Sequence, residues 1–586
     1  MKSFLKYLLA TVIGVGLTLT IFIFISIGFI AVLSSKGDKK VEIKDKTIYE
    51  IELNREIKDR DPDLPPFDFL GMGNSTPMGL NKILENIEKA KTDDRIKGIY
   101  LDLSFFVAGA SKLEEIRNAL ADFSSSGKFI IAYAEYMSQP AYYIASVADK
   151  VYLNPVGMFD FRGLRSQQVF FSTTLNKMGL KPTIVRVGKF KSASEPFTEK
   201  KMSQENREQI GRVLQTYWES WVADIAESRN ITVEELNRIA DEIAVKEAID
   251  AVELGLIDGL KYKDEIIDEL KQISGIDSDK KLRTIGYSKF KKVPAKSEGK
   301  GLAKSKIAVI YAEGTIVMGE GEDENIGSTK YSRLIRKARK DSTVKAIVIR
   351  INSGGGSALA SDIILREMNL VKAVKPVIVS MGDIAASGGY YFPSAAHKIL
   401  VNEKTLTGSI GVFAMHFNSK EMFNKIGINF DVEKTNERAD LLSGVKDLSP
   451  ADRAYLQHHV NVVYDTFLLH VANGRDMTKE EVHELAQGRI WSGTDAIENG
   501  LADEIGGLTE AVELAAELAN LDDYNLREMP KLEDPLEKIL KDLSGETQVN
   551  NVLSTLGISS SYFKQLKDVA SRSEVKAMLP YTFDIY

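Results

Sequence analysis

The chain repeats itself. "DRIKGIYLDLS" resembles "STVKAIVIRIN", and "YYIASVADKVYLN" resembles "YYFPSAAHKILVN". Lys97 and Lys345, Tyr143 and Tyr391, Lys150 and Lys398, Asn154 and Asn402, Gly163 and Gly411, Asn176 and Asn424, and Gly179 and Gly427 are identical pairs, each 248 positions apart. A single offset held without a gap over such a stretch defines two tandem copies of one domain. Further on the register slips slightly: Arg229 faces Arg475, and "GLIDGL" faces "GLADEIGGL". Without the repeat, 586 residues would be read as three or four domains.

Each copy alternates β-branched runs ("GIYLDL", "KFIIAYAE", "AIVIRIN", "PVIVSMGD") with amphipathic stretches such as "SKLEEIRNALADF" and "SDIILREMNLVKAV". These lengths predict right-handed βαβ units and a largely parallel sheet, an α/β fold. A long helix is predicted after them in each copy, in "SQENREQIGRVLQTYWESWVADIAESR" and "SPADRAYLQHHVNVVYDTFLLHVANGR". Between the copies, "YSKFKKVPAKSEGKGLAKSK" is lysine-rich and short of large apolar residues, which predicts a linker. The boundaries are an N-terminal segment 1–45, a first copy 46–287, a linker 288–304, a second copy 305–525 and a tail 526–586 that matches neither copy.

Tyr7 to Ser35 contains no charged residue. That is enough to cross a bilayer, which takes about 20 apolar residues. It is too long for the apolar core of a cleaved signal peptide, so an uncleaved transmembrane anchor is expected. Lys2 and Lys6 on one side nearly balance Lys36, Lys39 and Lys40 on the other, so loop charge leaves the orientation open. The net charge of −7 gives no electrostatic footprint for nucleic acid, and the absence of cysteine removes disulfides, thiol nucleophiles and thiolate metal sites.

Positions needed only for folding should be similar in kind in both copies; those that differ mark a task. Ser387, in "GDIAASGGYY", faces Gln139, and Gly388 faces Pro140. The turn "NSGGGS", Asn352 to Ser357, faces "SFFVAG". Only the second copy has a serine followed by glycines and a glycine turn: a nucleophile, with oxyanion N–H donors at Gly355 and Gly388. Two bases can be drawn from the sequence. His416, in "SIGVFAMHF", suits a triad; Lys191, in "RVGKFKSASEPFT", faces Ala439 and could serve if neutral. Arg186, Lys189, Lys200 and Lys201 nearby would lower its pKa, and Phe190, Pro196 and Phe197 could form a dry wall. None of the six histidines forms a zinc-protease pair on one helix face, so no metal or other cofactor is indicated. An acyl-CoA enzyme using the same oxyanion glycines, and a membrane scaffold without catalysis, are the readings from other classes.

"INSGGGS", "GDIAASGGYY", "LTGSIGV", "VGKFKSASEPF" and "GRIWSGTDAIENGLADEIGG" resemble the bacterial signal peptide peptidases of the long, double-domain type, the protease IV family, over roughly four-fifths of the chain. The resemblance implies two tandem Clp protease/crotonase-like domains of repeated ββα units after an N-terminal transmembrane helix. It also implies a serine–lysine dyad: Ser387 as nucleophile, Lys191 as general base, Ser409 in "TGSIGV" positioning the lysine, and Gly355 and Gly388 as oxyanion donors. The turn departs from the family in one place, Gly354 standing where proline is usual. By the same resemblance the protein would be a homotetramer in the inner membrane, its catalytic part periplasmic, degrading cleaved signal peptides.

Overall fold

A computed structural model describes residues 41–62, 76–103, 106–294, 303–322, 324–532 and 576–578, with parts of the stretch 6–21. Most of the apolar span 7–35 lies outside these residues. Among the described residues, no helix is long and apolar enough to cross a membrane.

The duplication holds in three dimensions. Helices Leu80–Thr92 and Ser328–Lys340 stand 248 positions apart, as do Ala110–Ser124 and Ala358–Lys372. The long helices Gln204–Arg229 and Pro450–Arg475 have 26 residues each and start alike, Ser203 and Ser449 each accepting a first-turn N–H through the hydroxyl. They end alike too, on Asn230 and Asp476 in the left-handed conformation.

The β-branched runs pair side by side. In the first copy the order is Gly259–Leu260, Lys150–Phe159, Phe129–Met137, Ile96–Leu103, Thr47–Leu53 and Thr284–Gly286, all parallel. The second copy places Leu406–Gly408, Val377–Ala386, Val344–Ser353, Lys306–Glu313 and Asn525–Met529 in parallel, with Ile490–Ser492 antiparallel at the edge. Such central strands are covered on both faces, hence near-continuous apolar runs: Ile347, Val348, Ile349 and Ile351 are all buried. The mixed α/β class and the two repeated domains therefore stand.

A third sheet joins the copies. Lys181–Val187 of the first copy runs antiparallel to Val412–Asn418 of the second over seven paired residues, from Val187 opposite Val412 to Lys181 opposite Asn418. Further along this sheet lies Gly355–Ser357, and between it and Val412–Asn418 runs the tail segment Lys576–Met578, antiparallel to both. Two residues of the stretch expected as linker, Phe290 and Val293, are buried in the first copy's core. The second copy continues to Met529, which is buried and lies opposite Ile310 in the strand beside Lys306–Glu313.

Candidate active site

Ser387 follows directly on the strand Val377–Ala386 and caps the short helix Gly388–Tyr391. Its φ of 58° and ψ of −117° make a sharp elbow that few non-glycine residues adopt. The elbow is pinned on both sides: Ser387 N–H donates to Gly408 O at 2.8 Å, and Ser387 O accepts from the N–H groups of Tyr390 and Tyr391 at 3.0 Å. The second glycine after the serine, Gly389, has a steric cause. A Cβ on Gly389 would lie 2.5 Å from Ser353 O, so only glycine lets the elbow sit against the glycine turn.

Lys191 reaches this elbow from the other copy. The strand Lys181–Val187 carries the chain across the third sheet, and the next four residues turn back under it, Phe190 N–H donating to Gln487 O at 3.0 Å. Gln209, on the long helix, donates to Phe190 O at 3.2 Å and to Ser192 Oγ at 2.9 Å, and accepts from Ile490 N at 3.2 Å. Buried Glu195 accepts from Ser203 and Asn206, fixing the "SASEPF" loop to the start of that helix. A Cβ on Gly488 would come within 2.6 Å of Lys191 Cβ, so the lysine lies flush against second-copy backbone.

Lys191 Nζ then donates to Ser387 Oγ at 2.7 Å, to Ser409 Oγ at 3.0 Å and to Ser409 O at 3.0 Å. All three side chains are buried. Burial alone pushes the Lys191 amine well below the ordinary lysine range. The cause differs from the sequence expectation, because Arg186, Lys189, Lys200 and Lys201 are exposed and contribute nothing to the shift. The dry wall is as expected, with Phe190, Pro196 and Phe197 buried. The structure brings Lys191 to Ser387, and the cause of its lowered pKa is burial rather than the neighbouring cations.

His416 is not part of this constellation. It lies on Val412–Asn418, directly opposite Thr183, and its Nε2 is 3.4 Å from Lys446 O. Burial pushes its pKa down, and among the described residues it is the Lys191 amine that reaches Ser387 Oγ.

The surroundings of Gly388 and Gly355, the expected oxyanion donors, are more particular than the sequence suggested. Gly388 opens the short helix, where first-turn N–H groups have no intrahelical partner. Gly355, at φ 98°, directs its N–H to Ser353 Oγ at 3.1 Å, and that hydroxyl donates to Gly314 O at 2.6 Å. Ser353 is therefore an internal partner of the turn that sequence reasoning did not single out. Nor did it find the polar cluster behind the turn, in which buried Asp59, Lys112 and Arg350 meet the half-buried Asn352 and Asp383. One signal was available: Asn352 faces Ser104 and Asp383 faces Glu135 across the repeat.

A serine oxygen on a strained elbow, beside a dehydrated amine and backbone donors, is the equipment of a serine peptidase. The sequence matches peptidase family S49 twice, over residues 122–277 and 369–522, once in each copy. Protease 4 of Haemophilus influenzae is 37% identical over 532 residues, covering 88% of this chain and 85% of that protein. Protease 4 of Salmonella typhi is 36% identical over 477 residues (80% and 76%), and the chloroplastic serine protease SPPA of Arabidopsis thaliana is 35% identical over 449 residues (76% and 66%). The chain belongs to peptidase family S49, with the S49 domain repeated twice, and it is a serine peptidase. The acyl-CoA and scaffold readings fall with that assignment.

Proposed function

We propose that this peptidase is a membrane-anchored endopeptidase with a Ser387–Lys191 dyad, acting on cleaved signal peptides. The observation that carries the dyad is the 2.7 Å contact between Lys191 Nζ and Ser387 Oγ in a buried site where the lysine is driven toward its neutral form. Neutral Lys191 takes the hydroxyl proton as Ser387 Oγ attacks the substrate carbonyl carbon. The oxygen of that carbonyl becomes an oxyanion facing the N–H groups of Gly388 and Gly355; the latter leaves Ser353 Oγ to meet it. The lysine ammonium returns the proton to the leaving amine, the C–N bond breaks, and an acyl-Ser387 ester remains. Water, deprotonated by the same lysine, hydrolyses that ester. Ser409, within 3.0 Å of Nζ through both its hydroxyl and its carbonyl, holds the amine in place throughout.

An extended peptide substrate is supported by the third sheet, where Lys576–Met578 already pairs antiparallel with Gly355–Ser357. Anchoring in the inner membrane rests on the uncharged span 7–35; the periplasmic side, the homotetramer and the preference for signal peptides rest on the family resemblance.

Mass spectrometry after reaction with a peptide fluorophosphonate tests the dyad. The adduct is expected on Ser387 in the wild type and in His416→Ala, and is lost in Lys191→Ala. Labelling of the lysine variant but not the histidine variant would replace the dyad with a triad, and a wild type unlabelled at Ser387 would overturn both. Resistance of the full chain to alkaline carbonate extraction, lost on deletion of residues 1–40, tests the anchor.

A further inference from the structure

The strand ladder breaks at the active site. Val344–Ser353 and Val377–Ala386 pair in parallel from Ile347 opposite Val377 to Ile351 opposite Met381; the register then shifts, and Ser353 lies opposite Ala385. Asn352 sits in that break. Its Oδ1 accepts from Ile384 N–H at 3.1 Å, so a side-chain amide stands in for the missing ladder bond between the glycine turn and the strand that ends in Ser387. An amide does this only in one of its two flip states. Its orientation is set by what holds the other end: Nδ2 donates to Asp59 Oδ2 at 2.9 Å and to Asp383 Oδ2 at 3.3 Å.

Two carboxylates face this one amide, Asp59 buried and Asp383 half-buried, and a carboxylate out of water is held charged by paired cations. Lys112 Nζ is paired with Asp383 and lies 3.5 Å from Asp59 Oδ2, and Arg350 Nε donates to Asp59 Oδ1 at 2.7 Å. Arg350 is anchored in turn by Glu115 at 2.6 Å and Ser380 at 2.8 Å. Asp59, Lys112 and Glu115 belong to the first copy; Arg350, Asn352 and Asp383 belong to the second. By the offset of 248, Ser104 of the first copy faces Asn352, and a serine carries no amide.

We propose that Asp59 and Lys112 of the first copy are positioning residues that lock the Asn352 amide, and through it the spacing between the oxyanion turn and the Ser387 elbow. The first copy then serves the reaction twice, with a base from one side and a charge clamp from the other. This rests on the dyad reading. Neither residue touches the reacting atoms. Their loss acts on the alignment of the oxyanion donors, which matters in the transition state and little for substrate binding.

The test uses the full-length protein with a short fluorogenic peptide amide and, in parallel, the rate of Ser387 labelling by a fluorophosphonate. Asp59→Asn removes the acceptor that fixes the amide, and Asn352→Ser installs the first-copy residue. Each is expected to lower kcat about 10- to 100-fold with KM unchanged, slow labelling to match, and leave the midpoint of the pH–rate profile where it was. The double variant is expected to be no worse than Asn352→Ser alone, since both act through one amide. Full kcat in folded Asp59→Asn, additive losses in the double variant, or a loss confined to KM overturns the proposal. If Asp59→Asn does not fold, Asn352→Ser decides, and full kcat there overturns it. A wild type that is unlabelled at Ser387 would instead sink the dyad on which the inference rests, so the two failures are distinct.

Discussion

Lys191 Nζ donates to Ser387 Oγ at 2.7 Å although the two residues lie 196 positions apart and in different copies of the repeat. Among the described residues the amine meets no carboxylate, only two hydroxyls and a carbonyl. A lysine so placed costs stability whenever it must carry a charge. In the unfolded chain it is protonated up to about pH 10.4, whereas in the fold it loses its proton well below that. Folding therefore releases a proton, and stability rises with pH between the folded and unfolded pKa values, by about 1.4 kcal/mol per pH unit for this one group. Lys191→Met removes the penalty. Its melting temperature is expected to exceed that of the wild type by more at pH 6 than at pH 9, while turnover falls about 100-fold or more. Equal gains at both pH values in calorimetry would mean that the lysine stays protonated in the fold throughout that range.

The elbow at Ser387 stores strain of its own. A non-glycine residue at φ 58° and ψ −117° costs on the order of 1 kcal/mol or more, and glycine is relieved of it. Ser387→Gly and Ser387→Ala both remove the nucleophile and should be inactive. They should differ in stability, with glycine higher by about 1 kcal/mol in urea unfolding. An alanine variant at least as stable as the glycine variant would show that the elbow is unstrained.

Ser409→Ala removes one of three partners of the lysine and leaves the Ser409 carbonyl at 3.0 Å. The hydroxyl helps to solvate the ammonium form, so its loss disfavours that form and moves the rising limb of the pH–rate profile to lower pH. With the amine less firmly held, kcat is expected to fall about 10-fold at unchanged KM. A profile that moves to higher pH would show the hydroxyl acting as donor to a neutral amine.

Comparison of the two copies singled out Ser387 and the glycine turn because their counterparts, Gln139, Pro140 and "SFFVAG", cannot do the same chemistry. The strands and helices were legible from their periodicity, down to Ser203 and Ser449 opening the long helices. The environment of Lys191 was not. Its burial comes from Gly411, Gln487 and Gly488, 220 to 297 positions away, whereas the basic residues beside it in sequence are exposed. The clamp on Asn352 was hidden for the same reason. Asp59 and Lys112 look like ordinary surface charges until the packing of one copy on the other takes them out of water. Glu313 is another such residue.

Glu313 ends the strand Lys306–Glu313, directly opposite Asn352. Burial, reinforced by the charge of Asp59 and opposed by Lys112, raises its carboxyl from 4.5 to about 6. Below pH 4.5 the group is protonated in both folded and unfolded chains and costs nothing. As pH rises from 4.5 to 6 the unfolded chain ionises first, so the penalty grows, and above 6 it levels off at about 2 kcal/mol. Glu313→Gln keeps the shape and discards the charge. Urea midpoints are expected to show the variant more stable by about that amount at pH 7 to 8 and equal to the wild type near pH 4. Because the same substitution removes a negative charge from beside Asp59, the pairing of Asp59 with Asn352 should be undisturbed and kcat retained. A variant as stable as the wild type at both ends of the range would mean that Glu313 ionises freely and that the space behind the oxyanion turn is wetter than its packing implies.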